Sequence, residues 1–466
     1  MKGCVFRMRK SRKHQEPPIN TIYSKYSIHQ KYQKPTVQKA NTLHEEPKIP
    51  VQNHMWTNTV ENMQPAPERV YIPCSPGIEH HWIHQPSDSY LFRGDHNCSY
   101  NIFPYEVDPK IEIVITGRYP YARYFSLTVI GQVNLFVASA VDHELIPDPG
   151  STNPFLPGAN WDAKNRNYTF KIRFTAPPEG STHFVPGAGN NIIYAGTLAN
   201  GAPNLHGFII LRVYVASIGY DQITGGVGFP TISYCAARQY KGHLSPARLE
   251  AQNSNQISDS FTNYVDFNNY VNTRNSQDMD GSRTCDLTWR TLSRIVEVIS
   301  PDSNTVYIIS DQIQRDLGRL LFIRWKAPTF PDTFHNIGIV ANEDTRYWSM
   351  TFLTPVGIIG LYTLGDFQTI IDNKGYVNLV ISFGAPRPSC VTTENGFTWV
   401  DVSHLPLVPL FLEYRNNQIS ENFPYTAKDV PAGEIVPPEV MRKYYPCGKY
   451  VNPMYFDCLD KTHFES

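Results

Sequence analysis

Alternation of apolar and polar residues is the feature that most limits how this chain can fold. Ile111, Ile113 and Ile115 alternate with Glu112 and Val114, and Phe125, Leu127 and Val129 with Tyr124, Ser126 and Thr128. Tyr168, Phe170, Ile172 and Phe174 repeat the pattern, as do Ile209, Leu211, Val213 and Val215. In the second half Val377, Leu379, Ile381 and Phe383 continue it, and 410–416 reads as a late strand. A period of two places one side-chain set on each face of a strand, so these segments predict half-buried β-strands. Pro147-Asp148-Pro149-Gly150, Pro157-Gly158, Pro177-Pro178-Glu179-Gly180, Pro186-Gly187 and Gly225-Gly226 supply turns between them.

Length and composition divide the chain further. At 466 residues it exceeds one typical core. Residues 1–70 are polar and basic, with Lys10-Ser11-Arg12-Lys13-His14 as a cluster, and read as a disordered arm. A first sandwich is expected over 71–235, a linker with a short helix over 236–300, and a second sandwich with a C-terminal tail over 301–456. Amphipathic spacing predicts short helices around 287–299 and 311–320. The fold class expected is mainly β: two tandem jelly-roll-like sandwiches from an internal duplication, with few short helices.

The duplication rests on ordered matches. Arg123-Tyr124-Phe125-Ser126 recurs as Arg346-Tyr347-Trp348-Ser349. Asp142 and Asp148 recur at nearly the same offset as Asp366 and Asp372. Arg118-Tyr119-Pro120 has a looser counterpart in Lys326-Ala327-Pro328. Tyr168-Thr169-Phe170 is matched with Tyr376-Val377-Asn378, and Arg212-Val213-Tyr214-Val215 with Leu412-Glu413-Tyr414-Arg415. Parity puts both motif arginines on the core-facing side, where a guanidinium requires a partner. Arg123 is therefore expected to pair with Asp142, and Arg346 with Asp366, each locking its own hairpin.

Lys plus Arg (41) nearly balance Asp plus Glu (42), which argues against a nucleic-acid partner beyond a weak contribution from the arm. No apolar run is long enough for a transmembrane helix, and no signal peptide is visible. The eight cysteines form no C-x-x-C pair and read mostly as thiols, with one or two bridges open, such as Cys447 with Cys458. His80-His81-Trp82-Ile83-His84 and His96 lie among prolines that disfavour a helix, so no metal site is expected, and no cofactor. Asn97-Cys98-Ser99 and Asn167-Tyr168-Thr169 are formal glycosylation sequons.

Two functional readings follow. A binding or structural protein, a surface or virion component, would recognise a glycan or another protein, with a homo-oligomer as a further option. A hydrolase-like enzyme would use Arg118, Tyr119, Tyr121, Arg123, Asp142, His143 and Glu144 in the first sandwich. The three tyrosines Tyr119, Tyr121 and Tyr124 suggest an aromatic ligand face. No G-x-S-x-G elbow surrounds Ser126, and His143 has Phe367 as its counterpart, so the enzyme reading is the alternative.

These residues also resemble a family. Gly117 to Ser126, Pro147 to Ala159, Tyr194-Ala195-Gly196, Thr224 to Gly228, Ala327 to Pro331, Arg346 to Ser349 and Tyr444 to Gly448 look like a group of uncharacterised, mostly bacterial proteins with paired β-sandwich domains. The resemblance spans roughly 90–450 and implies two sandwiches, with no activity to transfer. Relatives usually begin with a signal peptide, where this chain has a basic arm. It also keeps only Trp399 and Pro406 of a tryptophan- and proline-rich stretch expected at 395–410.

Overall fold

The computed structural model describes residues 74–76, 82–85, 94–107, 110–131, 136–198, 201–236, 285–292, 304–315, 318–340, 343–354 and 360–456. The arm at 1–70, the polar stretch 251–284 and the segment 293–300 lie outside the described residues. The rest is mainly β, arranged in four sheets.

The first half runs through β1 (Cys74–Pro76), β2 (Ile83–Gln85), β3 (Cys98–Glu106), β4 (Ile111–Arg118), β5 (Ala122–Gly131) and β6 (Phe136–Val141). It continues with β7 (Asn167–Arg173), β8 (Phe184–Val185), β9 (Asn191–Tyr194), β10 (His206–Ala216) and β11 (Thr231–Ala236). One sheet has the order β1-β11-β4-β7-β9-β8 and the other β2-β3-β10-β5-β6. The chain crosses between the two sheets after β1, β3, β4, β6, β9 and β10, which is the jelly-roll solution to burying both inner faces. The alternation read from sequence supplies that core: Ile113, Ile115, Phe170 and Ile172 from one sheet meet Phe125, Leu127, Ile209 and Leu211 from the other.

The second half repeats this order. Its strands are β12 (Trp289–Thr291), β13 (Thr305–Ser310), β14 (Leu320–Lys326), β15 (Thr345–Leu353), β16 (Gly360–Gly365), β17 (Tyr376–Ser382), β18 (Thr398–Asp401), β19 (Phe411–Ile419) and β20 (Cys447–Val451). The sheets are β12-β13-β19-β15-β16 and β18-β17-β14-β20. Among the described residues a parallel pairing occurs in each half at the same place, β7 with β9 and β17 with β18.

Register refines the sequence matches. Arg212 stands opposite Ser126, and Arg415 opposite Ser349. Arg212 therefore corresponds to Arg415, and the match of Tyr214 with Tyr414 is out of step. Likewise Arg118 pairs with Asn167 and Lys326 with Tyr376, so Asn167, not Tyr168, corresponds to Tyr376. Loops of different length between strands shift any linear alignment, whereas the ladder does not.

Three further expectations are corrected. The helix expected at 287–299 begins instead as strand β12, inside the stretch read as linker, because Trp289 and Thr291 turn inward in period two. The segment 311–315 is not helical, and 320 opens β14. Cys447 pairs with Cys285 rather than Cys458, and Cys74 pairs with Cys235. Each bridge ties the segment entering a sandwich to that sandwich's last strand, an adjacency that exists only once the sheet has formed. Cys390 is disulfide-bonded too, and Cys98 is a buried thiol.

Candidate functional site at the seam between the sandwiches

Every residue of β5 is buried, on both faces. One face is the core of the first sandwich, and the other meets the second half. Tyr124 packs on Tyr214 with ring centroids 5.5 Å apart, and Tyr214 in turn packs on Tyr347, the tyrosine of the other motif copy, at 5.6 Å, all three in one buried cluster. The two Arg-Tyr-aromatic-Ser strands thus adjoin each other across a seam.

The arginines lie where each ladder is interrupted. Tyr214 pairs with Tyr124 and Ala216 with Ala122, while Val215 between them has φ 50°. The second half repeats the break: Asn417 pairs with Tyr347, Ile419 with Thr345, and Gln418 has φ 49°. A left-handed non-glycine residue is strained, and for β-branched Val215 it is rare. The same distortion therefore sits opposite Arg123 and opposite Arg346.

Freed from regular pairing, each arginine crosses the seam. Arg123 Nη1 donates to both Asp366 carboxylate oxygens at 2.8 Å, and Nε donates to Thr333 Oγ1 at 2.9 Å. Its guanidinium lies 5.1 Å from the Phe330 ring centroid. Reciprocally, Arg346 Nη1 lies 3.6 Å from Asp142 Oδ1, Nη2 donates to the Phe155 carbonyl at 3.4 Å, and the guanidinium lies 5.8 Å from the Phe155 ring. Each aspartate also accepts a backbone N–H within its own half: Phe125 to Asp142 at 3.1 Å, and Trp348 to Asp366 at 3.2 Å.

The expected pairing of Arg123 with Asp142, and of Arg346 with Asp366, is therefore replaced by an exchange between halves. Parity assumes an unbroken ladder, and the break opposite each arginine redirects the side chain across the seam to the other half's carboxylate. Arg123 and Asp366 are 0% exposed. Burial pushes the Asp366 carboxyl up to about 6, against the pull of Arg123 and the Trp348 N–H.

A second cross-seam cluster had no sequence signal. Asp95, in the turn before β3, accepts from Tyr347 Oη at 3.0 Å, Ser349 Oγ at 2.8 Å and Arg415 Nη1 at 3.1 Å. Arg415 Nη2 donates to buried Glu413 at 2.8 Å. Besides the local Asn97 N–H, the partners of the Asp95 carboxylate lie more than 250 residues away, so no periodicity marks it.

The other residues singled out from sequence do not converge on one cleft. Tyr119 is in the core, its hydroxyl donating to the Leu145 carbonyl at 2.7 Å. Tyr121 is buried in a stack, 4.2 Å from Tyr220 on one side and 3.7 Å from the Arg166 guanidinium on the other. Arg118 is exposed and donates to the Lys164 carbonyl. Glu144 accepts the Val141 N–H and closes the turn after β6. His143 is different: its side chain is 41% exposed, Nδ1 lies 3.6 Å from Asp142 Oδ1, and Gln418 reaches it from the second half. At the equivalent place Phe367 packs on Phe334. Of the histidine run, His84 contacts Asn101 and His96 contacts Thr363 across the seam; His80 and His81 lie outside the described residues. No helix among the described residues is long and apolar enough to cross a membrane.

No family model matches the chain, and no curated protein is similar to it. Solved structures similar to it include two uncharacterised or unassigned bacterial proteins. One is a putative uncharacterized protein from Burkholderia cenocepacia, 10% identical, with 80% of this chain and 82% of that chain covered and a TM-score of 0.47. The other is the VPA0106 protein from Vibrio parahaemolyticus, 11% identical, with 80% of this chain and 92% of that chain covered and a TM-score of 0.37.

Proposed function

We propose that this chain is a binding or structural protein, built as two duplicated jelly rolls clasped face to face, and acts at a cell or virion surface. The supporting observation is the use made of its most reactive residues. Arg123, Asp366, Arg346 and Asp142 serve each other across the seam, and Tyr119 and Tyr121 are packed inside. Residues so engaged lend rigidity, and a ligand would be met by the exposed loops. Disulfide-bonded cysteines fit an oxidising compartment, as a surface protein would require.

The experiment is a glycan array probed with purified full-length protein. Saturable binding to one glycan class, with the arrayed sugars left intact, supports recognition. Cleavage of the arrayed glycans overturns it. A blank array removes the glycan and leaves a protein partner, to be sought by cross-linking at the surface. The alternative, a hydrolase-like activity, is favoured only by half-exposed His143 resting against buried Asp142. His143→Ala would abolish any such turnover and leave binding unchanged.

A further inference from the structure

Of the two sequons, the fold treats one as seam and the other as surface. Asn97 Nδ2 donates to Tyr347 Oη at 3.1 Å and to Gln368 Oε1 at 3.3 Å, both in the opposite half. That nitrogen would lie 2.9 Å from a Cβ added at Gly365, so the site has no room for a sugar. Asn167 opens β7 and is exposed. Its backbone is fixed, pairing with Arg118 and accepting from the Asp148 N–H at 3.0 Å. Parity decides where its side chain goes. Tyr168, Phe170 and Ile172 are buried in the sandwich, so Asn167, Thr169 and Lys171 share the outer face. The acceptor is thus displayed away from both core and seam, and the hydroxyl two residues on lies on the same face, half-buried and donating to Asp148 Oδ2 at 3.1 Å.

We infer that Asn167 is the site of an N-linked glycan and that Asn97 is not. The disulfides supply an independent reason, since the compartment that oxidises cysteines is the one in which this modification occurs. In the step itself the Asn167 amide nitrogen forms a bond to C1 of the sugar and gives up a proton. The C1–O bond of a polyprenyl-diphosphate-linked oligosaccharide donor breaks, and the lipid diphosphate leaves. A polar oligosaccharide at this position would cover part of the outer face of the β4–β7 ladder, leaving the seam untouched.

The test is the full chain placed behind a secretion leader in a eukaryotic cell, with intact mass measured before and after an amidase that removes N-glycans and leaves aspartate. Both secreted and cell-associated protein are read, and peptide mapping of the unsubstituted chain locates the modification. One glycan, at Asn167, is expected. Asn167→Gln and Thr169→Ala should lose it, Thr169→Ser should restore it, and Asn97→Gln should keep it. An unmodified Asn167 peptide from disulfide-bonded protein, or a glycan mapped to Asn97, overturns the inference.

Discussion

Replacing Arg123 by methionine isolates what the seam's charges contribute. Methionine keeps much of the apolar stem but removes the guanidinium, leaving Asp366 with its carboxylate buried and only N–H donors for company. Breaking a buried ion pair by removing one partner costs about 3–5 kcal/mol, because the remaining charge is neither solvated nor matched. Thr333 Oγ1 loses a donor as well, worth about 1 kcal/mol at most alongside that penalty. A loss of about 4 kcal/mol is therefore expected at pH 8, read as a lowered urea midpoint. The cost should also depend on pH. The folded-state pKa of Asp366 is already raised, to about 6, and removing Arg123 raises it further. A carboxyl with a folded pKa above its unfolded value of about 3.9 gains stability as pH falls through the folded pKa, and the gain is complete near the unfolded one. Wild type should thus gain as pH drops through about 6, and the variant from a higher pH, so the penalty at pH 5 is smaller than at pH 8. Adding Asp366→Leu should recover most of the loss, since apolar residues of similar volume replace a buried pair at little cost. An Arg123→Met penalty below about 1 kcal/mol, the range of exposed pairs, would refute the reasoning, as would a penalty that does not shrink on acidification.

Other expectations follow from single contacts. Joint replacement of Cys285 and Cys447 by serine opens a loop of 162 residues and should lower stability by about 3–5 kcal/mol, measured by denaturant unfolding under non-reducing conditions. Gly207→Ala should cost about 1–3 kcal/mol or more, seen as lowered melting temperature or yield, because its Cβ would drive into the Ile130 carbonyl oxygen and lie 2.8 Å from the Tyr105 hydroxyl. Asp372 behaves oppositely to Asp366: burial would raise it, but bonds from the Tyr376 and Lys374 N–H groups, Asn378 and Arg324 outweigh burial and hold its pKa low. Its contribution is present above the unfolded pKa and is lost as pH falls through the depressed folded value, so Asp372→Asn should flatten the acid end of the stability profile.

Strand content, the two-sandwich architecture and the special status of the two motifs were legible from local signals. A period of two reports burial on one face, and that is a property of neighbouring residues alone. The same signal explains why the helices expected near 287 and 311 were misplaced: short apolar runs fit either period, and only pairing with a neighbouring strand chooses between them. Of the proposed ligand residues, His143 is the one the fold leaves accessible at the seam, and it sits where the two halves differ in sequence. Asp95 gave no sign of its role, since the side chains that bind its carboxylate come from the opposite half.

By itself the sequence determined that this chain makes strands, that its two halves follow one plan, and that each motif arginine needs a carboxylate. Tertiary structure alone decided which carboxylate. Two halves that carry the same motif offer each arginine two comparable aspartates, and local pattern cannot rank them. The choice was made when the two sheets met face to face, with the ladder broken at Val215 and Gln418, so that Arg123 reached Asp366 and Arg346 faced Asp142. The same docking closed off Asn97 and left Asn167 on the outside, a distinction that two identical sequon patterns do not contain.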